Sequence, residues 1–547
     1  MTGESFKRWI WAWVFLSPFA MQGQNNFGTL SGNLELNGNF FIRDSVIEAS
    51  NTPQYDHQLY GAEGWMQLNY SGFGFDIGLR YDVFNNSSLL NRQDSYTDQG
   101  LGRWYIKKKI NDLGISGGYL YDQIGSGIIF RAFEDRALLI DNALKGFRLT
   151  YDLGDNWSVK AFTGRQKRQF SDYDSVVKGA SIEGFITGND STKTSNWSLA
   201  PGVGIVNRTF DDATMEGVVG ELSNYLPEDE ITPKYNNYAV SFFNTLSVGS
   251  FSWYLEAAYK TPDVFIDPFA ERVLLTGATT TGKIVDRAGN IIYTSLGYAA
   301  SGFGGTLEYK RTEDFTLRTD PFALANQGMI NFLPPMARVN TYRLTARYAP
   351  ATQELGEQAV QVDLRYSPSR KWNFNVNISN ITNLDSDLLY REIYSEISYK
   401  YKRKWTLSGG LQLQSYNQDI FENKPGVPIV ETITPFAEFL YKIDRKKSIR
   451  TEFQFLSTDQ DFGDWVFGLV EFSIAPNWTF TVSDMYNLED LRFEPHHFPR
   501  VDVFYNYKAN RFSLSYIKQV EGIVCTGGIC RLEPAFSGVR LTVNSTF

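Results

Sequence analysis

The stretch "WNFNVNISN" (372–380) alternates along its whole length: Trp372, Phe374, Val376 and Ile378 are apolar, and Asn373, Asn375, Asn377 and Ser379 are polar. A strand sends successive side chains to opposite faces, so this one has a greasy face and a wet face. The pattern recurs in "FDIGLRYDV" (75–83), "WTLSGGLQLQ" (405–414) and "RFSLSYIK" (511–518). The wet faces carry Ser, Thr, Asn, Gln, Asp and Arg, which suits a hydrated lumen.

The connections alternate too. Short turns such as "GDN" (154–156), "SPSRK" (367–371), "KRK" (402–404) and "APN" (475–477) separate longer polar stretches at 85–100, 123–144, 261–289, 312–337 and 415–430. Outer-membrane barrels combine short periplasmic turns with long external loops. The fold expected is therefore all-β: a single large closed antiparallel transmembrane β-barrel. The strand-like segments, 338–349 among them, sum to an odd number. Two weaker candidates, 177–187 and 197–208, leave it odd. Bacterial barrels are even-numbered, so one strand is missed or falsely counted, and the expectation is about 24 within a range of about 22 to 26. The rhythm loses phase between 312 and 370.

Several short turns are followed by tryptophan: Trp157, Trp372, Trp405 and Trp478. Trp favours a membrane interface, where the ring is apolar and the N–H stays wet, so these four read as one edge of an aromatic girdle. At the N-terminus, Lys7 and Arg8 precede an apolar run from Trp9 to Ala20, with a plausible cleavage point at Gly23–Gln24. This reads as a signal peptide over 1–23, with the barrel over 24–547. The chain ends "GVRLTVNSTF", and Val539, Leu541, Val543 and Phe547 share a face. A last strand with a terminal aromatic, here Phe547, is the signal that outer-membrane proteins present to the barrel insertion machinery. Outer-membrane lipid and that machinery are the expected partners, and the cell outer membrane of a Gram-negative bacterium the expected location.

Composition removes other functions. A formal charge of -9 argues against nucleic acid as a partner. Three His and two Cys leave little for metal or thiol chemistry, and no P-loop, Rossmann or G-x-S-x-G stretch stands in its required context. His496 and His497 are adjacent and read as loop residues; even on a strand they would point to opposite faces, a poor geometry for a shared metal. No enzyme activity, metal or cofactor is expected. Cys525 and Cys530 flank a Gly-Gly tip in the last long loop, and an exported chain favours their oxidation to a disulfide over a redox pair or a metal site.

Two segments break the strand rhythm. In "GSGIIFRAFEDRALLIDNALKG" (125–146), Arg131, Glu134, Asp135, Arg136 and Asp141 are packed among Phe and Leu. A loop of this mixture can fold inward as a charged constriction that sets selectivity. The other reading is a loop on the rim with its charges paired to one another. In 209–235, Met215, Val218, Val219 and Leu222 are spaced like one helix face, capped by Asp211 or Asp212, a short external helix that covers the mouth or meets a partner.

Segment 125–146, together with "INFLPP" (330–335) and the Cys loop, resembles a porin-like outer-membrane barrel family of Bacteroidota without an assigned function. The resemblance spans nearly the whole mature chain. It implies fold and location, and no activity. The function expected is a porin-like channel for passive passage of polar solutes. The alternative is a plugged structural or interaction barrel whose external loops bind a surface protein.

Overall fold

The computed structural model describes residues 28–88, 95–136, 138–188, 196–274, 277–323, 326–488, 496–526 and 529–547, with the side chains of 523–531 excepted. The signal-peptide stretch 1–23 lies outside these residues. Neighbouring strands pair antiparallel around one sheet. The first strand, Thr29–Phe41, closes it against the last, Phe536–Thr546, from Asn33↔Thr546 to Phe41↔Gly538. Strand pieces Ser171–Gly184 and Ile186–Gly188 both pair with Trp197–Thr209 and count as one strand, which gives a closed barrel of 24. Closure satisfies every strand edge.

The faces fall as the alternation requires. In Trp372–Thr382, Trp372 and Ile378 are 42% and 43% exposed on the outside, whereas Asn377 and Ser379 are buried on the inside. In Trp405–Tyr416, Leu407, Leu411 and Leu413 face out and Ser408, Gln412 and Gln414 face in. The outside is therefore apolar. An arginine near the bilayer midplane on such a face costs about 2–4 kcal/mol. Ile378→Arg is expected to lose that much in denaturant refolding into lipid vesicles, while Asn377→Asp on the opposite face is expected to lose far less of it.

Both weak candidates are strands. The segment 338–349 is not one, and here the sequence expectation is corrected. Strand Phe303–Glu313 pairs directly with Gly356–Ser369, with Glu313 opposite Gly356, and the chain between them folds into the barrel. The stretch 261–289 is also no loop. Strands Phe251–Val273 and Thr279–Ala300 pair to their tips, with Val273 opposite Thr279. A spanning strand needs only about 9–11 residues, so this hairpin runs well past the barrel rim. The helix Asp212–Leu222 packs on it through Met215, Val218 and Leu222 against Val264 and Ile284. Asp211 caps the helix by accepting the Thr214 N–H. Val219, assigned to the same face by spacing, is instead half exposed.

Candidate functional site

The lumen is where this fold departs from a simple pore. Wall residues that point inward would be wet in an open barrel this wide. Glu392, Gln412, Thr434 and Gln454 are instead wholly buried. What covers them is residues 314–355. The segment starts on one side of the lumen, where the Ser175 hydroxyl donates to the Thr319 carbonyl at 2.6 Å and Lys260 Nζ donates to the Thr316 carbonyl at 3.1 Å. It reaches the opposite side, where Gln412 Nε2 donates to the Thr345 carbonyl (3.0 Å), Gln414 Nε2 to the Tyr348 carbonyl (2.7 Å), and the Leu344 N–H to Gln454 Oε1 (2.7 Å). Arg347 lies 4.2 Å over the Trp465 ring, on a strand half the barrel's circumference from that of Ser175. The segment therefore crosses the lumen.

The filling is confined to one half. Along the wet face of Trp372–Thr382, Asn373 and Asn375 near the short turn are partly exposed, and Asn377 and Ser379 further along are buried. Inserted chain thus fills the long-loop half. The short-turn half is open to water and holds a cavity of about 710 Å³ that Glu308, Arg338, Gln361 and Asp363 help to line. A second cavity of about 400 Å³ lies among strands Thr29–Phe41, His497–Tyr507, Asn510–Gln519 and Phe536–Thr546, with Arg136 and Leu139 also on its lining.

Residues 122–143 form a second insertion, paired with the first. The Arg131 N–H donates to the Ile330 carbonyl at 2.8 Å and the Phe332 N–H to the Gly127 carbonyl at 3.0 Å. Ile128, Ile129 and Phe130 pack with Phe315, Leu317 and Leu333 and with wall residues Phe162 and Phe243. Charges anchor the segment. Wall residue Arg80, 1% exposed, is the hub: it donates to Asp82 (2.7 and 2.8 Å), to Glu134 Oε1 (2.8 Å) and to Asp141 Oδ2 (2.6 Å). Arg136 joins Glu134 (2.8 Å) to Glu35 of the first strand (2.6 Å). Lys167 and the Tyr121 hydroxyl complete the shell of Asp141.

Of the five residues singled out in the sequence, Glu134, Arg136 and Asp141 share this cluster inside the barrel. Arg131 stands apart, its guanidinium 4.1 Å over the Phe332 ring. Asp135 accepts the Leu138 N–H and closes a turn. Arg80, Asp82, Lys167 and Glu35 were not singled out, although the alternation already puts Arg80 and Asp82 on a wet face.

Burial pushes the Asp141 carboxyl up, but Lys167 and Arg80 outweigh it and hold the pKa below the ordinary 3.8. A lowered carboxylate stabilises the docked segment fully above that value, and the contribution is lost as pH falls below it. The stability difference between wild type and Asp141→Asn in a denaturant titration, which isolates this carboxylate, is expected to stay flat from neutrality down to about pH 4 and to shrink only in stronger acid.

Gly102 makes room for the cluster. It is the extra residue of a bulge between Arg80↔Arg103 and Tyr81↔Leu101. A Cβ there would lie 1.8 Å from Asp82 Oδ2. Gly102→Ala is expected to cost about 1–3 kcal/mol, read in a denaturant refolding titration.

A family model described as a family of unknown function (DUF6029) matches residues 6–547. The chain belongs to this family. No curated protein matches this DUF6029 member. Among solved structures, it is similar to the translocation pore of the P pilus usher PapC of E. coli (9% identity, 94% of this chain and 99% of that chain, TM-score 0.42). It is also similar to the Pseudomonas aeruginosa siderophore receptor PirA (9%, 96% and 81%, 0.40) and to Acinetobacter baumannii OccAB4 (11%, 72% and 97%, 0.34).

The remaining sequence candidates of this DUF6029 member lie outside the lumen filling. Trp157, Trp372, Trp405 and Trp478 each begin a strand after a short turn. Trp372 and Trp405 both pack on Tyr399, at 4.5 and 5.4 Å between ring centroids. Phe547 exchanges backbone hydrogen bonds with Gly32 (2.7 and 3.0 Å). Cys525 stands opposite Cys530 in the register of the hairpin Gly522–Thr526 and Ile529–Glu533, and their side chains lie outside the described residues. His497 Nδ1 meets Asp484 Oδ2 at the rim, and His57 Nδ1 meets Ser95 Oγ at 3.1 Å.

Proposed function

We propose that the protein is a Gram-negative outer-membrane channel for small polar solutes, narrowed by its own inserted chain. The observation that carries this is the gradient along the wet faces: polar wall residues are open to water at the short-turn end and buried further along, and a cavity of about 400 Å³ remains within the wall. In this reading the short-turn end faces the periplasm, with Trp157, Trp372, Trp405 and Trp478 at the inner headgroups. Residues 1–23 are a signal peptide, Phe547 addresses the insertion machinery, and a Cys525–Cys530 disulfide staples the last external hairpin. The Glu134, Arg136 and Asp141 cluster anchors the constriction. No catalytic role is proposed.

A second reading is a closed barrel that docks a surface protein. The buried wall carboxylate Glu392 and the overhanging hairpin with its helix favour it. Planar-bilayer recording of the refolded protein separates the two. Discrete small steps are expected. A barrel that never conducts would sink the channel and send the search to partners of the hairpin.

A further inference from the structure

The outer wall carries a cavity of its own. It measures about 400 Å³ and lies across strands Leu388–Tyr401, Trp405–Tyr416 and Val430–Lys442, near their long-loop ends. Two rows of outward-facing residues line it. Ile393, Leu413 and Ile433 stand side by side in register and are exposed on the apolar face. One step nearer the loops, Arg391, Ser415 and Glu431 stand side by side in the same way. The bridge between Ile433 and Ser457 brings Asp459 to the end of this second row. A strand crosses a bilayer in about 9–11 residues. Counted from Tyr401 at the short turn, that length ends at Arg391 and Ile393. The apolar row therefore lies at the edge of the lipid and the charged row among the headgroups.

Other outward charges near the long loops are paired: Lys145 with Asp172 at 2.7 Å, Arg165 with Asp174 at 3.2 Å, and Arg311 with Glu313 at 2.9 Å. Arg391, Glu431 and Asp459 make no ion pair among the described residues. Ser415 holds Arg391 and Glu431 apart by two strand spacings, roughly 10 Å between backbones. The Arg391 Nε donates to Asn380 Oδ1 at 2.9 Å, which fixes the guanidinium and leaves both Nη groups to a ligand. On the other side, Gln460 Oε1 accepts the Glu431 N–H and the Thr458 hydroxyl, each at 3.0 Å, and orders the cavity wall.

A ligand that answers this layout has an apolar chain, an anion and a cation. The guanidinium takes a phosphate through two parallel N–H donors. The two carboxylates take a positive group that also donates N–H. A quaternary ammonium donates none and is held by aromatic cages. The lining has no aromatic ring. A lipid that is only anionic meets two carboxylates for one arginine.

We propose that this cavity binds one phosphoethanolamine-type lipid, with its phosphate on Arg391, its primary ammonium between Glu431 and Asp459, and an acyl chain over Ile393, Leu413 and Ile433. The inference rests on the outer-membrane placement and is independent of conduction.

Native mass spectrometry of the full-length barrel in detergent tests it. Phosphatidylethanolamine is expected to stay bound, one per barrel, at collision energies that strip phosphatidylglycerol and phosphatidylcholine. Its retention is expected to weaken about tenfold in Arg391→Gln, and again in Glu431→Gln with Asp459→Asn, each of which removes a charge-assisted contact. Arg311→Gln, at the same rim on another strand, is expected to retain it. Folded migration in unheated gels confirms that each variant still closes. Equal retention of the three lipids overturns the site as ordinary boundary lipid, and so does retention unchanged in Arg391→Gln. Selective retention of phosphatidylglycerol overturns the role of Glu431 and Asp459, and the proposal with it.

Discussion

Excising residues 317–352 and joining the ends through a short polar turn is expected to convert the barrel into a wide open pore. The wall should survive the cut. Glu313 and Gly356 face each other in register, so the strands that flank the segment are neighbours that a hairpin turn of about 2–5 residues can join. Every barrel strand keeps its two partners, and Lys310 keeps its 2.9 Å ion pair with Glu357. What disappears is the cover over Gln412, Gln414, Gln454 and Glu392 and the packing on Leu389, Tyr390 and Trp465. The polar groups become hydrated, and the apolar ones face water at about 25 cal/mol per Å². The barrel is therefore expected to be less stable but closed, with a lumen fit for solutes the wild type excludes, since a sheet of this strand number encloses more space than its side chains fill. Single-channel conductance and liposome swelling with sugars of increasing size read the effect. Unchanged conductance in a barrel that still migrates as folded in unheated gels would show that the segment does not obstruct the path.

The barrel wall was legible because alternation is a property of each strand alone. Outward Leu407, Leu411 and Leu413 and inward Gln412 and Gln414 follow from period two and nothing else. Two real strands read weakly for a packing reason. Their alternation is diluted by glycines whose space is taken by large neighbours: a Cβ on Gly179 would enter the Phe162 ring, one on Gly202 the Phe243 ring, and one on Gly204 the Ile124 side chain. The converse error lies at 338–349. Tyr342, Leu344 and Tyr348 alternate with Arg343, Thr345 and Arg347 as in a strand. A closed barrel offers that stretch no free edge, so it turns back on itself through Ala346 N–H to Tyr342 O and Arg347 N–H to Leu344 O and spends its apolar face on the lumen wall. The cluster was half legible. Composition marks 131–141 as unusual, but the partners Glu35, Arg80 and Lys167 come from strands remote in sequence, and only closure of the barrel brings them together.

Arg80→Met is expected to be the most damaging single substitution in the lumen. The side chain is 1% exposed and is the hub to which Asp82, Glu134 and Asp141 are all bound. Methionine fills a similar length and donates nothing. Glu134 keeps Arg136, but Lys167, already against Asp141 and 3.9 Å from Asp82, is then left with two carboxylates to neutralise in a poorly wetted pocket. Removing one partner of a buried ion pair costs about 3–5 kcal/mol, more than a well-packed apolar replacement of the whole set would. That asymmetry supplies the control. If stranded charge is the cause, Arg80→Met combined with Asp82→Asn and Asp141→Asn should regain much of the loss in denaturant unfolding, although it has fewer native contacts than the single variant. If the triple variant is instead as unstable as the single one, the Arg80 cluster acts through shape. The single variant should also conduct more, because Glu134 and Asp141 are how residues 122–143 hold to strand Phe75–Ser87. A barrel equally stable and equally conductive without Arg80 would mean that water already screens these carboxylates, and that the anchor of the inserted chain lies in the packing of Ile128, Ile129 and Phe130.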